Sequence, residues 1–144
     1  MEDGRLEFGF VVYRNVKLPS PIFHLLKVVS SFINTFMIKI AEHPNELNFA
    51  PNGLAEVKVN GKKVCVARVG AGPEMKLFAC ASACPHAGAR MANGTVDGLG
   101  NIVCPSHRYK FSLTNGRNVS GEGYHLTTWK VEWKEDGVWL DGRW

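Results

Sequence analysis

From Met37 onward, apolar and polar residues alternate in short runs, each broken by Gly, Pro, Asn or Asp. A period of two is the mark of a strand with one buried face, and the breakers mark turns. The pattern predicts strands over 37–41, 55–59, 64–69, 77–81, 95–96, 102–103, 108–111, 126–133 and 138–140. Asn60-Gly61 lies between two such runs and is a strong two-residue hairpin signal. Glu42 to Asn52 is polar and carries Pro44 and Pro51, which predicts a loop or a single turn. Many short strands with almost no helix predict an all-β domain over 37–144, a β-sandwich or small barrel.

Ahead of it, the period changes to that of a helix. Residues 22–36 are apolar at Ile22, Leu25, Leu26, Val29, Phe32, Ile33 and Phe36, with Ser20 placed to cap and Pro21 to start the first turn. This predicts an amphipathic helix in an N-terminal extension, residues 1–36. The run is shorter than the roughly 20 residues a membrane-spanning helix needs. It also has little basic charge for a surface anchor, so membrane association is not expected.

Composition changes this picture little. A chain of 144 residues suits one domain. The formal charge of +4 is small and scattered, which argues against nucleic acid as a partner. A mild positive field suits docking with an acidic partner.

The chemistry lies in two short stretches, Cys84-Pro85-His86 and Cys104-Pro105-Ser106-His107. Each offers a thiolate and an imidazole, donors that suit iron or zinc. One residue separates the donors in the first stretch and two in the second. Pro after each Cys stiffens the loop, and Gly88 lets the backbone come close to a bound group. Two chemistries fit such a set: a structural Cys2His2 zinc site and a two-iron cluster with unlike ligands on its two irons. The remaining cysteines, Cys65 and Cys80, sit in the apolar runs VCVARV and LFACAS, where they are expected as buried, reduced packing residues. His24, His43 and His125 have no partner donors close in sequence and are not expected to bind metal.

Residues 84–89, CPHAGA, and 104–111, CPSHRYKF, resemble the two cluster loops of Rieske proteins, C-x-H-x-G and C-P-x-H. The segment 111–117, FSLTNGR, is similar to the stretch that follows the second loop in Rieske ferredoxins. The resemblance covers about residues 37–144. It implies one [2Fe–2S] cluster, with Cys84 and Cys104 on one iron and His86 and His107 on the other. It also implies a cluster-binding subdomain of two loops and an electron carrier rather than an enzyme. The carrier would take electrons from a flavin reductase and give them to an oxygenase or another terminal acceptor, in the cytoplasm where thiols stay reduced. A small subunit of a larger oxidoreductase, like that of nitrite reductases, is the alternative. A free-standing oxygenase is not expected, because the domain leaves no room for a second, mononuclear iron site.

High-potential members of the family carry an extra Cys in each loop, joined as a disulfide. The matching positions here are Ala89 and Ser106. Those members also carry a Ser and a Tyr after the second His, where this chain has Tyr109 and Phe111. The resemblance therefore implies a low-potential, ferredoxin-type centre. Family members commonly place a Pro-bearing loop over the cluster, and this chain has Gly121-Glu122-Gly123-Tyr124 there. Arg90, Arg108, Lys110 and Arg117 fall in or near the loops and read equally as a basic collar for an acidic partner or as ordinary solvated charges.

Overall fold

A computed structural model describes residues 36–144. The helix expected over 22–36 and His24 lie outside these residues, Phe36 excepted. The described part is all-β, with ten strands in three antiparallel sheets. The strands are β1 (Met37–Ala41), β2 (Leu54–Val59), β3 (Lys62–Val69), β4 (Lys76–Ala81), β5 (Thr95–Val96), β6 (Asn101–Val103), β7 (Lys110–Ser112), β8 (Thr128–Trp129), β9 (Val131–Lys134) and β10 (Gly137–Asp141). The sheets run in the orders β1-β10-β9, β2-β3-β4-β8 and β5-β6-β7.

The four-stranded sheet is the middle layer, and the two-residue period shows why. Along β3, Val64, Cys65, Val66 and Ala67 are all buried. Val64 and Val66 point to one face and meet Val138 and Leu140 of β10, with Ala79 of β4 beside them. Cys65 and Ala67 point to the other face and meet Ile102, Phe111 and Cys104 beyond it. A strand covered on both faces needs apolar residues at successive positions. The hairpin joining β2 to β3 turns at Asn60 (φ 49°) and Gly61 (φ 80°), with Val59 opposite Lys62. Left-handed backbone at both central residues suits the right-handed twist of the strands, which accounts for the Asn-Gly pair.

One expected element is divided. The alternating run 126–133 predicts a single strand, but the chain changes sheets at Lys130. Trp129 pairs with Ala79 in the middle sheet, whereas Val131 pairs with Leu140 in the outer one. Leu126 belongs to neither strand and is fully buried beside Phe111 and Cys104. Alternation reports which face a residue takes, not which neighbour it pairs with. The second loop also runs longer than its pattern suggests: Arg108 has φ 64°, and β7 begins at Lys110.

Candidate metal centre

The first loop leaves β4 and the second joins β6 to β7, so both rise from the apolar layer beneath the middle sheet. They close on themselves in the same way. The Cys84 N–H donates to the Ala89 carbonyl at 2.8 Å, and the Gly88 N–H returns to the Cys84 carbonyl at 2.8 Å. In the second loop the Cys104 N–H donates to the Tyr109 carbonyl at 2.8 Å, and the Arg108 N–H returns to the Cys104 carbonyl at 3.1 Å. Each cysteine is thus fixed by both of its backbone groups.

The four expected donors come together as two pairs. Cys84 and Cys104 are both buried in the same apolar cluster, next to each other. Farther out, the rings of His86 and His107 meet edge to face, with centroids 4.5 Å apart and their Nδ1 atoms 3.1 Å apart. His86 is half-buried and His107 exposed. Among the described residues, no three or more His, Cys, Asp or Glu side chains gather around one point. A thiol pair beside an imidazole pair matches the donor set of a two-iron cluster with two protein ligands on each iron, so these residues fit a Rieske centre.

Burial pushes the Cys84 thiol up from its ordinary value, and the adjacent Cys104 adds to this. The backbone N–H groups of His86 and Ala87, bonded to the sulfur, pull the other way. Cys65 and Cys80 face each other across β3 and β4, fully buried and free of any disulfide. The hydrogen bond with Cys65 and then burial hold the Cys80 thiol well above the ordinary range, which suits an inert packing role. His43 caps the turn Pro44–Leu47 by accepting from the Asn45 N–H, and its ring edge meets Trp133.

Two side chains at the site are not singled out by the sequence, although the resemblance places segment 121–124 over the cluster. Tyr124 arrives from the glycine-flanked segment 121–124, with its ring 5.0 Å from that of His86 and stacked on Tyr109. Glu56 of β2 braces the base of the first loop: the Ser82 hydroxyl and the Arg90 Nε both donate to its Oε2, the latter at 3.0 Å, and Lys63 lies 3.5 Å from Oε1. The Ser82 hydroxyl and then Arg90 hold the Glu56 carboxyl below its ordinary value of 4.5, against the opposing effect of burial.

The sign of the pH effect follows. The stabilisation from ionised Glu56 is complete above 4.5 and fades as pH falls through the lower folded-state value. Glu56→Gln is expected to cost about 1–2 kcal/mol at pH 7 by weakening both bonds. It should also flatten the acid side of the stability profile below about pH 4.5. Thermal melts of parent and variant between pH 7 and 3 check this, and parallel acid limbs would count against it.

A family model described as the Rieske [2Fe-2S] domain matches residues 39–129. The chain belongs to this family. The ferredoxin component of the naphthalene 1,2-dioxygenase/salicylate 5-hydroxylase systems of Ralstonia sp is 35% identical over 72 residues, which are 49% of this chain and 64% of that protein. The cholesterol 7-desaturase of Bombyx mori is 33% identical over 88 residues, 56% of this chain and 18% of that protein. Both matches span less than two thirds of the relative. Among solved structures, the complex of reduced oxygenase and oxidized ferredoxin in carbazole 1,9a-dioxygenase contains a chain that is 28% identical, with a TM-score of 0.60. That match covers 76% of this chain and 95% of the other. The Rieske family implies one [2Fe–2S] cluster. No helix among the described residues is long and apolar enough to cross a membrane.

Proposed function

We propose that this chain is a one-electron carrier of the low-potential, ferredoxin type, not an enzyme in its own right. In this reading residues 37–144 are the functional domain and residues 1–36 an extension. Cys84 and Cys104 ligate one iron of the cluster, and His86 and His107 the other. The observation that carries the reading is the sorting of the four donors into a buried thiol pair and an outer imidazole pair with facing Nδ1 atoms.

When bound, a [2Fe–2S] cluster supplies one-electron chemistry that needs no substrate. The residues of the chain do the rest. Both thiols must give up their protons on metal binding, including the proton that burial favours on Cys84. Each imidazole must present an unprotonated Nδ1, which leaves its Nε2–H free to donate outward. Pro85 and Pro105 stiffen the turns that hold these donors.

The low potential is read from hydrogen bonding, which tunes iron–sulfur centres. The Ser82 and Ser120 hydroxyls donate to Glu56 and Asn118, away from the cysteines. Phe111 is fully buried in the same core as Cys104 and has no hydroxyl to offer. The naming of relatives as a ferredoxin component and as a ferredoxin bound to an oxygenase supports a reductase as donor and an oxygenase as acceptor. A reducing compartment such as the cytoplasm suits the free cysteines.

A dithionite titration of aerobically purified protein, followed by absorption, EPR and analysis for iron and sulfide, tests the whole reading. The expected result is a one-electron reduction with a midpoint in the lower part of the family range of roughly −150 to +300 mV. A colourless protein containing zinc would end the reading. A midpoint in the upper part of that range would end the low-potential assignment alone.

A further inference from the structure

The two loops close with the same pair of backbone bonds but differ in the residue that makes the return bond. Four residues after its cysteine, the first loop has Gly88 at φ 72° and the second has Arg108 at φ 64°. Both residues return their N–H to the cysteine carbonyl. A Cβ built on Gly88 meets nothing within 4 Å, so the position demands left-handed backbone and not space. Glycine adopts that conformation freely, whereas the Cβ of an arginine crowds the neighbouring carbonyl. The other non-glycine residues at positive φ among those described are Asn48 and Asn60, and asparagine tolerates the region. Arg108 alone is held where its residue type is disfavoured, and such strain persists where a residue is needed.

Among the described residues, nothing makes use of the Arg108 charge. Its side chain is exposed and forms no ion pair or hydrogen bond with the described residues. The expected basic collar is otherwise largely matched from within. Arg90 lies 3.0 Å from Glu56, and Lys110 lies 3.6 Å from Asp97. Arg117 sits across from Ser112, at the end of β7 away from the loops. Glu122 lies near Tyr109, whose hydroxyl it raises after the larger effect of burial, and it makes no ion pair with Arg108. Arg108 stands between His107 and Tyr109, whose rings join those of His86 and Tyr124 in one aromatic tip.

We propose that Arg108 is the specificity-determining contact of this tip, a fixed positive charge beside the exposed imidazole that selects an acidic redox protein presenting carboxylates. The backbone strain at 108 is retained because glycine, which the turn prefers, carries no charge. This inference rests on the one-electron-carrier reading.

The test uses the reduced, cluster-loaded protein and two inorganic oxidants of opposite charge. One is hexacyanoferrate(III), which accepts one electron to become hexacyanoferrate(II). The other is the cation tris(1,10-phenanthroline)cobalt(III), reduced by one electron to cobalt(II). At low ionic strength, Arg108→Gly should slow the reaction with hexacyanoferrate about fourfold and leave the cobalt reaction as fast or faster. The difference should vanish at about 0.5 M salt. Arg117→Gln, which removes the same charge away from the tip, should change the hexacyanoferrate rate far less. Poly-L-glutamate, as an acidic polypeptide, should slow the parent's reaction with hexacyanoferrate and not that of Arg108→Gly. The glycine variant should melt at the same temperature as the parent or higher.

Equal effects of the two charge removals, equal inhibition by poly-L-glutamate, or a lower melting temperature for Arg108→Gly would each overturn the proposal. Parent protein that contains no iron would instead refute the reading on which it rests.

Discussion

Cys104→Ser is expected to yield a folded but colourless protein, with iron falling from two per chain to near zero and no EPR signal on reduction. Cys104 is fully buried and held by its own N–H and carbonyl, so a side chain of nearly the same size leaves the loop in place. A serine hydroxyl does not ionise near neutral pH as a thiol does on metal binding, and a soft ligand is exchanged for a hard one. Iron loss must be separated from damage to the core, because burying a hydroxyl without a partner costs about 1–3 kcal/mol by itself. Cys80→Ser is the control. Cys80 is equally buried in the same apolar cluster but faces Cys65 across the sheet, away from the imidazole pair. It should lose a similar amount of stability and keep its iron. Iron retained by Cys104→Ser with an unchanged spectrum would remove that residue from the ligand set. Iron lost equally from both variants would show that packing, not ligation, is being measured.

The convergence of the two candidate stretches was legible because a donor pair of this kind is written into local sequence: a Cys and a His within four residues, twice, each Cys followed by Pro. The Asn60-Gly61 hairpin was legible for the same reason, since its backbone requirement falls on two adjacent residues. The packing role of Cys65 and Cys80 followed from apolar neighbours on each side. What supports the donors was not legible, because it comes from far along the chain. Glu56 reaches Ser82 and Arg90 across 26 and 34 positions, and its own strand reads only as an alternating run. Tyr124 lies in a segment of glycines and charges whose path depends on tertiary contacts, so nothing local aims its ring at His86. The basic collar was overcounted for the same reason: Arg90 and Lys110 have acidic partners that only the fold brings near. The division of 126–133 between two sheets belongs here too, since pairing depends on which strands happen to lie alongside.

Gly116→Ala is expected to be the most damaging small substitution in the domain, at about 4 kcal/mol or more. Gly116 follows β7 at φ +74°, a conformation that already disfavours alanine. The greater difficulty is space. A Cβ there would lie 1.7 Å from the Leu126 carbonyl oxygen, 2.9 Å from its carbon and 3.1 Å from the His125 ring. The first two are backbone atoms, so no rotamer change relieves the overlap. Segment 125–126 must move away, which breaks the 2.9 Å bond from the Leu126 N–H to the Gly116 carbonyl. Leu126 is fully buried against the core that holds Phe111, Leu113 and Cys104, so moving it opens that core beneath the second loop. Gly61→Ala isolates the conformational part: Gly61 has φ +80° but nothing within 4 Å of a Cβ, and the change should cost only about 1 kcal/mol. With total stability of about 5–15 kcal/mol usual for a domain, the Gly116 variant should melt at least 15 °C below the parent and the Gly61 variant within about 8 °C of it. A Gly116→Ala protein that melted no lower than Gly61→Ala would mean that the approach of Leu126 to this turn is not what holds the second loop over the core.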